Sequence, residues 1–339
     1  MMLNQSFSAD NFRKIIDYEN RKGVYLEGRF FPLVAQITED IKTFASVIRE
    51  KKKQLGATEF DEYKKTANEE KERLQAQKEE TLNAELRKVS ERIVGRDFKF
   101  ELNRNESIGD KPVYTVEDKP EYYFASKQLQ HNFRRLYKVK QANRYAIVSQ
   151  IKALLNDKFP KYIIRTDIQD FYETIPRDKL LRKLYEDNLL TFRSKKLIRV
   201  ILDDYSSKSG NKKGVPRGVG LSAYLAELYM RDIDDEIMAL PDLIYYARYV
   251  DDMIVVFVPS LNGQQHGVDV IKGIVEKHFL SLNLTKKKTR ETDLTQKGAS
   301  GEVEYLGYRM IVRGGEVEVR LAKKKIDINR LIIVCTQAA

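Results

Sequence analysis

One stretch constrains this chain more than any other: Tyr245-Tyr246-Ala247-Arg248-Tyr249-Val250-Asp251-Asp252-Met253-Ile254-Val255-Val256-Phe257-Val258. Aromatic and β-branched residues run into two adjacent aspartates, and a second apolar run leaves them. The pattern predicts a β-hairpin with Asp251 and Asp252 at its tight turn. Two neighbouring carboxylates repel each other, and a hard divalent cation with oxygen ligands relieves that repulsion. Aspartate is also a favoured turn residue in its own right, so the stretch alone leaves both readings open.

Composition narrows the partners. A chain of 339 residues can bury a sizeable core and fold as more than one lobe. Its formal net charge of +11 points to a polyanionic partner, nucleic acid or an acidic membrane surface. No apolar run approaches the roughly 18 residues that span a bilayer, and the N-terminus lacks the basic-then-apolar order of a secretion signal. The single cysteine, Cys335, excludes an internal disulfide framework and a cysteine-based zinc site. His131, His266 and His278 are scattered, which disfavours a histidine-rich metal site. The expectation is a soluble, cytoplasmic, nucleic-acid-facing protein with no membrane partner.

Taken in order, the chain opens with an arm over residues 1–35. Ser8 is placed to cap a helix that Gly23 ends, and Val24 to Phe31 reads as extended. Residues 36–95 are rich in Lys, Glu, Gln and Ala, all good helix formers. Narrow apolar stripes, Ile37/Ile41/Phe44/Ile48 and Leu82/Leu86/Val89/Ile93, predict two helices with a bend near Gly56. Such an arm is either a solvated helical pair or a surface for self-association or a companion protein. Phe98 to Leu102 alternates as a strand does. Tyr122 to Leu155 is helical and carries Arg134, Arg135, Lys138, Lys140, Arg144 and Lys152, which suit either a phosphate backbone or plain solvent.

A second carboxylate site lies in Tyr162-Ile163-Ile164-Arg165-Thr166-Asp167-Ile168-Gln169-Asp170-Phe171-Tyr172. A charged Asp167 near the end of a buried strand needs a partner; a metal shared with Asp251 is one answer, a cap or ion pair another. Helices are expected over Asp178 to Tyr185, Thr191 to Leu202 and Val268 to Phe279. Gly214-Val215-Pro216-Arg217-Gly218-Val219-Gly220 leads into an amphipathic helix, a weak signal of close ligand approach. Lys286-Lys287-Lys288-Thr289 follows a short apolar segment. Glu304 to Val312 and Glu316 to Arg320 read as a hairpin around Arg313-Gly314-Gly315, and Ala322 to Asn329 as a helical start.

In this order the motifs resemble the reverse transcriptases over roughly residues 125 to 320. Asp167 to Tyr172 is similar to the family's first palm motif, Gly214 to Tyr229 to its glycine loop and helix, and Tyr249 to Asp252 to its aromatic-x-Asp-Asp box. Lys286 to Thr289 resembles the lysine-bearing motif and Tyr305-Leu306-Gly307-Tyr308 the primer grip. Arg134 to Lys140 with Asn143-Arg144-Tyr145, and the segments Asn11-Phe12 and Tyr18 to Gly23, resemble the bacterial defence-associated and abortive-infection branch, related to retron and group II intron enzymes. A type 3 defence system with paired polymerases fits the same segments.

The resemblance implies an α+β right-hand polymerase: fingers over 96–166, palm with interleaved fingers elements over 167–320, and the start of a thumb or a truncated C-terminus over 321–339. It implies two Mg²⁺ ions, with Mn²⁺ as a substitute, held by Asp167, Asp251, Asp252 and the carbonyl of Ile168. Phe171, Tyr172, Arg217, Gly218, Arg144, Arg165 and Lys288 would face the nucleotide, with Tyr172 excluding a 2′-hydroxyl. Tyr249, Tyr305, Leu306, Gly307, Arg134, Arg135 and Lys138 would face primer and template. The implied partners are deoxynucleoside triphosphates, an RNA template (including a non-coding RNA) and a DNA product. Two positions depart from the family: Arg217 stands where glutamine is usual, and Val219-Gly220 where Ser-Pro is usual. The competing expectations are a catalytically inactive nucleic-acid-binding or scaffolding subunit of a defence complex, and a metal-dependent nuclease.

Overall fold

A computed structural model of the protein describes residues 3–105, 111–140, 142–260, 267–296, 298–314 and 316–322. In chain order the helices and strands are α1 (Ala9–Asn20), α2 (Leu26–Phe30), α3 (Pro32–Gln54), α4 (Ala57–Val94), β1 (Leu102–Asn105), β2 (Val113–Val116), α5 (Pro120–Leu136) and α6 (Arg144–Asn156). Then come β3 (Lys161–Asp167), α7 (Phe171–Thr174), α8 (Arg177–Glu186), α9 (Phe192–Ser209), α10 (Gly220–Met238), β4 (Leu243–Tyr249), β5 (Asp252–Phe257) and α11 (Val268–Lys277). The last described elements are β6 (Arg290–Leu294), β7 (Gly301–Tyr305), β8 (Tyr308–Arg313) and β9 (Glu316–Leu321). The architecture is α+β with antiparallel sheets.

The chain forms two compact units. One takes Met1–Glu106, Tyr114–Leu136 and Asn188–Asp204; the other takes Ser107–Val113, Tyr137–Asp187 and Tyr205–Ala339. In the first, Leu82, Leu86, Val89 and Ile93 of α4 are all buried, as their helical spacing requires. Phe12 of α1 and Phe124 of α5 meet at 5.2 Å between ring centroids, an aromatic contact that fixes these helices against each other. The bend falls at Gly56, whose amide donates to Glu59 at 3.4 Å. On α3 only Val34 and Ile37 are buried, so the rest of its stripe is half covered.

Several local expectations need correction. Tyr122 to Leu155 is not helical throughout, since α5 ends at Leu136 and α6 starts at Arg144; and the hairpin turns at Val250-Asp251, with Asp252 already in β5. Val24 to Phe31 is not extended throughout: Leu26–Phe30 forms α2, because Leu26 is fully buried and Asn20 donates to both oxygens of Glu27 at 3.1 and 3.0 Å. The strand expected over Phe98 to Leu102 starts only at Leu102; Phe98 and Phe100 instead pack on each other and on Tyr122. Glu304 to Val312 is not one strand, since Leu306 and Gly307 take positive φ (48° and 76°) and turn the chain between β7 and β8. The expected helical start from Ala322 and the thumb assignment fall outside the described residues from 323 onward.

In the second unit a four-stranded antiparallel sheet has the order β4-β5-β3-β6 and a three-stranded sheet the order β7-β8-β9. One core joins them to α6: Ile147, Ile151 and Leu155 pack with Ile163, Ile254, Val256, Met310 and Val312. β5 is buried from Met253 to Phe257 and reads as a continuous apolar run, whereas β3, though mostly buried, carries Lys161, Arg165 and Asp167 among its apolar residues. Their register places Asp167 opposite Asp252.

Candidate active site

Asp167 ends β3, where the chain must leave the sheet. The Ile168 amide donates to the Asp251 carbonyl at 3.2 Å, the Gln169 amide to Ser281 at 2.8 Å, and the Asn283 amide to the Asp167 carbonyl at 2.8 Å. The strand end is thus tied on both sides, and its carboxylate is 3 % exposed. Across the ladder, Tyr249 pairs with Asp252, and Val250 and Asp251 form the turn. Val250 has φ +62°, which a β-branched residue adopts only under strain.

Arg248 holds that turn. It donates to the Val250 carbonyl at 2.8 Å, to both oxygens of Glu227 at 3.1 and 2.8 Å, and to both of Asp234 at 2.9 and 2.7 Å. Tyr246 adds a hydroxyl bond to Asp234 at 2.6 Å. Burial opposes the guanidinium charge, but the bonds to Asp234 and Glu227 outweigh it and hold the arginine above its ordinary range. From beneath, the fully buried Tyr305 donates its hydroxyl to the Asp252 carbonyl at 2.8 Å. The sequence reading did not single out Arg248, Glu227 or Asp234 as site residues. The available signal was a charge inside an aromatic strand, which needs buried partners.

The electrostatics of the three aspartates are unbalanced. Burial pushes the Asp251 carboxyl above its ordinary range, and the charges of Asp252 and Asp167 push it further. Burial does the same at Asp252, partly offset by Arg165, whose Nη2 lies 3.5 Å from Oδ1. Lys288 pairs with Oδ2 of Asp167, while Oδ1 is buried with no hydrogen-bond partner among the described residues. The donor set, three clustered carboxylates with unmet negative charge, fits a divalent cation. As the side chains stand, no group of three or more Asp, Glu, His or Cys among the described residues is arranged to hold a metal ion. Lys288 and Arg165 take up part of the charge instead.

Around this centre the other expected residues separate. Tyr172, on α7, lies close enough to Asp251 to feel its charge; burial and then that charge raise its hydroxyl. The Arg217 guanidinium sits 5.2 Å from the Tyr172 ring centroid and is paired with Glu173. Phe171 is buried edge-on to Tyr172 at 5.5 Å. Gly218 is exposed, with φ +94°.

Among the described residues the remaining candidates make no bond to the aspartate carboxylates, although Tyr305 and Tyr249 meet the backbone of Asp252. Arg144 opens α6 and donates to the Leu306 carbonyl, with its guanidinium 5.9 Å from the Tyr308 ring centroid. Leu306 and Tyr305 are buried, and the Gly307 carbonyl accepts from Ala322 at 3.0 Å. Tyr249 is half-buried against the core shared by the two sheets. Arg134 and Arg135 are exposed on the last turn of α5 in the first unit; Lys138 is exposed, with φ 53°.

A pair of buried antiparallel strands that presents clustered carboxylates beside a glycine loop and helix is the arrangement of a nucleic-acid polymerase centre. The chain belongs to the reverse transcriptase (RNA-dependent DNA polymerase) family, whose profile matches residues 119–310, more than half of the chain. No curated protein sequence matches it. Among solved structures it is similar to telomerase from Candida albicans in complex with the TWJ fragment of telomeric RNA, at 13 % identity and a TM-score of 0.45 over 65 % of this chain and 45 % of that one. Apo telomerase from Candida tropicalis, truncated from its C-terminal domain, gives 14 % and 0.46 over 67 % and 56 %. The BmCPV RNA-dependent RNA polymerase at its elongation state gives 8 % and 0.41 over 67 % and 22 %. The chain therefore spans about half the length of the telomerases it matches.

Proposed function

We propose that this protein is an RNA-directed DNA polymerase that adds deoxynucleotides to a primer 3′-end. The observation that carries the reading is the register that sets Asp167 across from Asp252, with Asp251 in the adjoining turn and Oδ1 of Asp167 buried without a partner. These three carboxylates would hold two Mg²⁺ ions, or Mn²⁺ in their place, with the Ile168 carbonyl adding an oxygen. When bound, the metals supply Lewis-acid charge for attack by the 3′-hydroxyl and for departure of pyrophosphate. The chain's own part is positioning. Arg248 and Tyr305 fix the hairpin that carries Asp251 and Asp252. In this reading Lys288, half-exposed and paired with Asp167, would donate a proton to the leaving group, and Arg165, paired with Asp252, would meet the triphosphate.

In this reading Tyr172 discriminates the sugar by excluding a 2′-hydroxyl. Phe171, Gly218 and Arg144 complete the nucleotide side in this reading. Tyr249, Tyr305, Leu306, Gly307, Arg134, Arg135 and Lys138 serve primer and template. The motifs around Arg134 to Tyr145 support a place in bacterial antiviral defence, in the cytoplasm, with a non-coding RNA as template and the α3–α4 arm as a surface for self-association or a companion polymerase. No helix of the described residues is long and apolar enough to cross a membrane.

Primer extension with labelled deoxynucleotides and Mg²⁺ on an RNA template tests the activity, and phage plating on cells carrying wild-type or Asp251→Asn protein tests the defence role. Nucleic-acid binding without extension under either metal would favour an inactive, scaffolding subunit. Degradation of the primer or template in place of extension would favour a nuclease.

A further inference from the structure

The side chains Tyr172, Glu173 and Arg217 form a contact triad near Asp251, and Glu173 also pairs with Lys111 at 3.6 Å. Arg217 Nε donates to Glu173 Oε1 at 3.1 Å, and Nη2 reaches Oε1 at 3.0 Å and Oε2 at 3.2 Å. The same guanidinium lies 5.2 Å from the centroid of the Tyr172 ring, within cation–π range. Glu173 adjoins Tyr172 in the chain, so the residue that anchors the guanidinium also fixes where it stands over the ring.

The backbone under this triad leaves little freedom. Val215 donates to the Tyr172 carbonyl at 2.7 Å, which ties the glycine loop to α7. Gly214, at φ +85°, lets the two segments approach: a Cβ there would stand 2.6 Å from the Tyr172 carbonyl oxygen and 2.7 Å from that of Glu173. Arg177 secures the loop's far side by donating to the Gly214 carbonyl at 3.2 Å and to Lys213 at 2.8 Å. Phe171 packs edge-on to the same ring at 5.5 Å. The ring thus contacts both Phe171 and a guanidinium that Glu173 holds.

We infer that Glu173 and Arg217 are a specificity-determining clamp, which holds the Tyr172 ring in the rotamer that excludes ribonucleotides. The inference rests on the sugar-reading role proposed for Tyr172. A tyrosine side chain free to rotate about χ1 yields space to a 2′-hydroxyl; one capped by a guanidinium must first break that contact. Arginine suits the task because its planar fork pairs bidentately with a carboxylate and stacks on a ring at once. Glutamine, neutral and shorter, does neither. Arg217 and Glu173 are 36 % and 24 % exposed. Solvent screens their charges, and the clamp works through geometry more than through bare attraction.

The test is the ratio of ribonucleotide to deoxynucleotide use on one RNA template, measured for wild type, Tyr172→Val, Arg217→Gln, Glu173→Gln, Arg217→Lys and the Arg217→Gln/Glu173→Gln double variant. The same ratio is read as nucleotide binding, by calorimetry on protein with a 3′-terminated primer, so that loss of turnover does not hide it. Thermal unfolding confirms that each variant is folded.

Arg217→Gln and Glu173→Gln are each expected to raise the ratio about tenfold, with the double variant no higher than either alone, the signature of a single shared interaction. Arg217→Lys, which keeps the charge but loses the fork, should fall between wild type and Arg217→Gln. If Tyr172→Val raises the ratio while both glutamine variants stay within about twofold of wild type, the clamp is refuted and the sugar reading stands. If Tyr172→Val itself changes nothing, the sugar reading fails and the clamp falls with it.

Discussion

Lys288 pairs with one oxygen of Asp167, and the other oxygen of that carboxylate, buried at the end of β3, has no hydrogen-bond partner among the described residues. The ammonium thus occupies half of a group whose remaining half is unmet. Lys288 is 45 % exposed, so it can leave without crossing the core. The pair explains how a buried carboxylate is tolerated next to two others, and it sets Lys288 in competition with any cation that Asp167 would bind.

That competition is measurable without turnover. Lys288→Met should tighten Mn²⁺ binding several-fold, as read by electron paramagnetic resonance of free Mn²⁺, because Asp167 loses its resident counter-charge. Unchanged Mn²⁺ affinity would mean that the ammonium and the metal do not meet at Asp167.

Arg248 should prove a stability residue. It is 7 % exposed, between Glu227 and Asp234 at 14 % and 19 %. Arg248→Met leaves two partly buried carboxylates without their cation and is expected to cost roughly 3 kcal/mol in denaturant unfolding. Val250→Gly should cost far less, since glycine takes the +62° φ without strain. Equal losses in the two variants would contradict the assignment of Arg248 as the group that holds the turn.

Much of this was legible in the sequence, for physical reasons that differ by element. The Leu82/Leu86/Val89/Ile93 stripe and the bend at Gly56 follow from helical periodicity and glycine, both local. The aspartate hairpin was legible because aromatic and β-branched runs flanked a turn. What the sequence left out depends on contacts between distant residues. Leu26–Phe30 is helical because Leu26 is buried and Glu27 is bonded to Asn20. Arg217 finds Glu173, 44 positions away, and no spacing rule pairs them. Tyr305, read as facing the primer, sends its hydroxyl inward to Asp252. Asn188–Asp204 joins the N-terminal unit although its neighbours in sequence belong to the other.

The close approach at Gly214 gives a further test. Gly214→Ala meets both the +85° φ and the Tyr172 carbonyl oxygen at 2.6 Å. It should destabilise the protein by about 2 kcal/mol or more, where alanine at an open, unstrained site would be near neutral. Thermal and denaturant unfolding of Gly214→Ala beside wild type decides it; an unchanged midpoint would mean that α7 and the glycine loop are not joined as described.

The central claim is that Asp167, Asp251 and Asp252 form a metal-dependent centre for nucleotide transfer. Its most direct measurement is single-nucleotide extension of a primer on an RNA template by wild type and by Asp251→Asn, with primer–template binding measured in parallel. Asparagine keeps the shape of the side chain and removes its charge. Extension should fall by at least about a thousandfold, some 4 kcal/mol of transition-state stabilisation, while binding, carried by Lys and Arg, stays within a few-fold of wild type. Extension by Asp251→Asn at a rate near that of wild type would contradict the account.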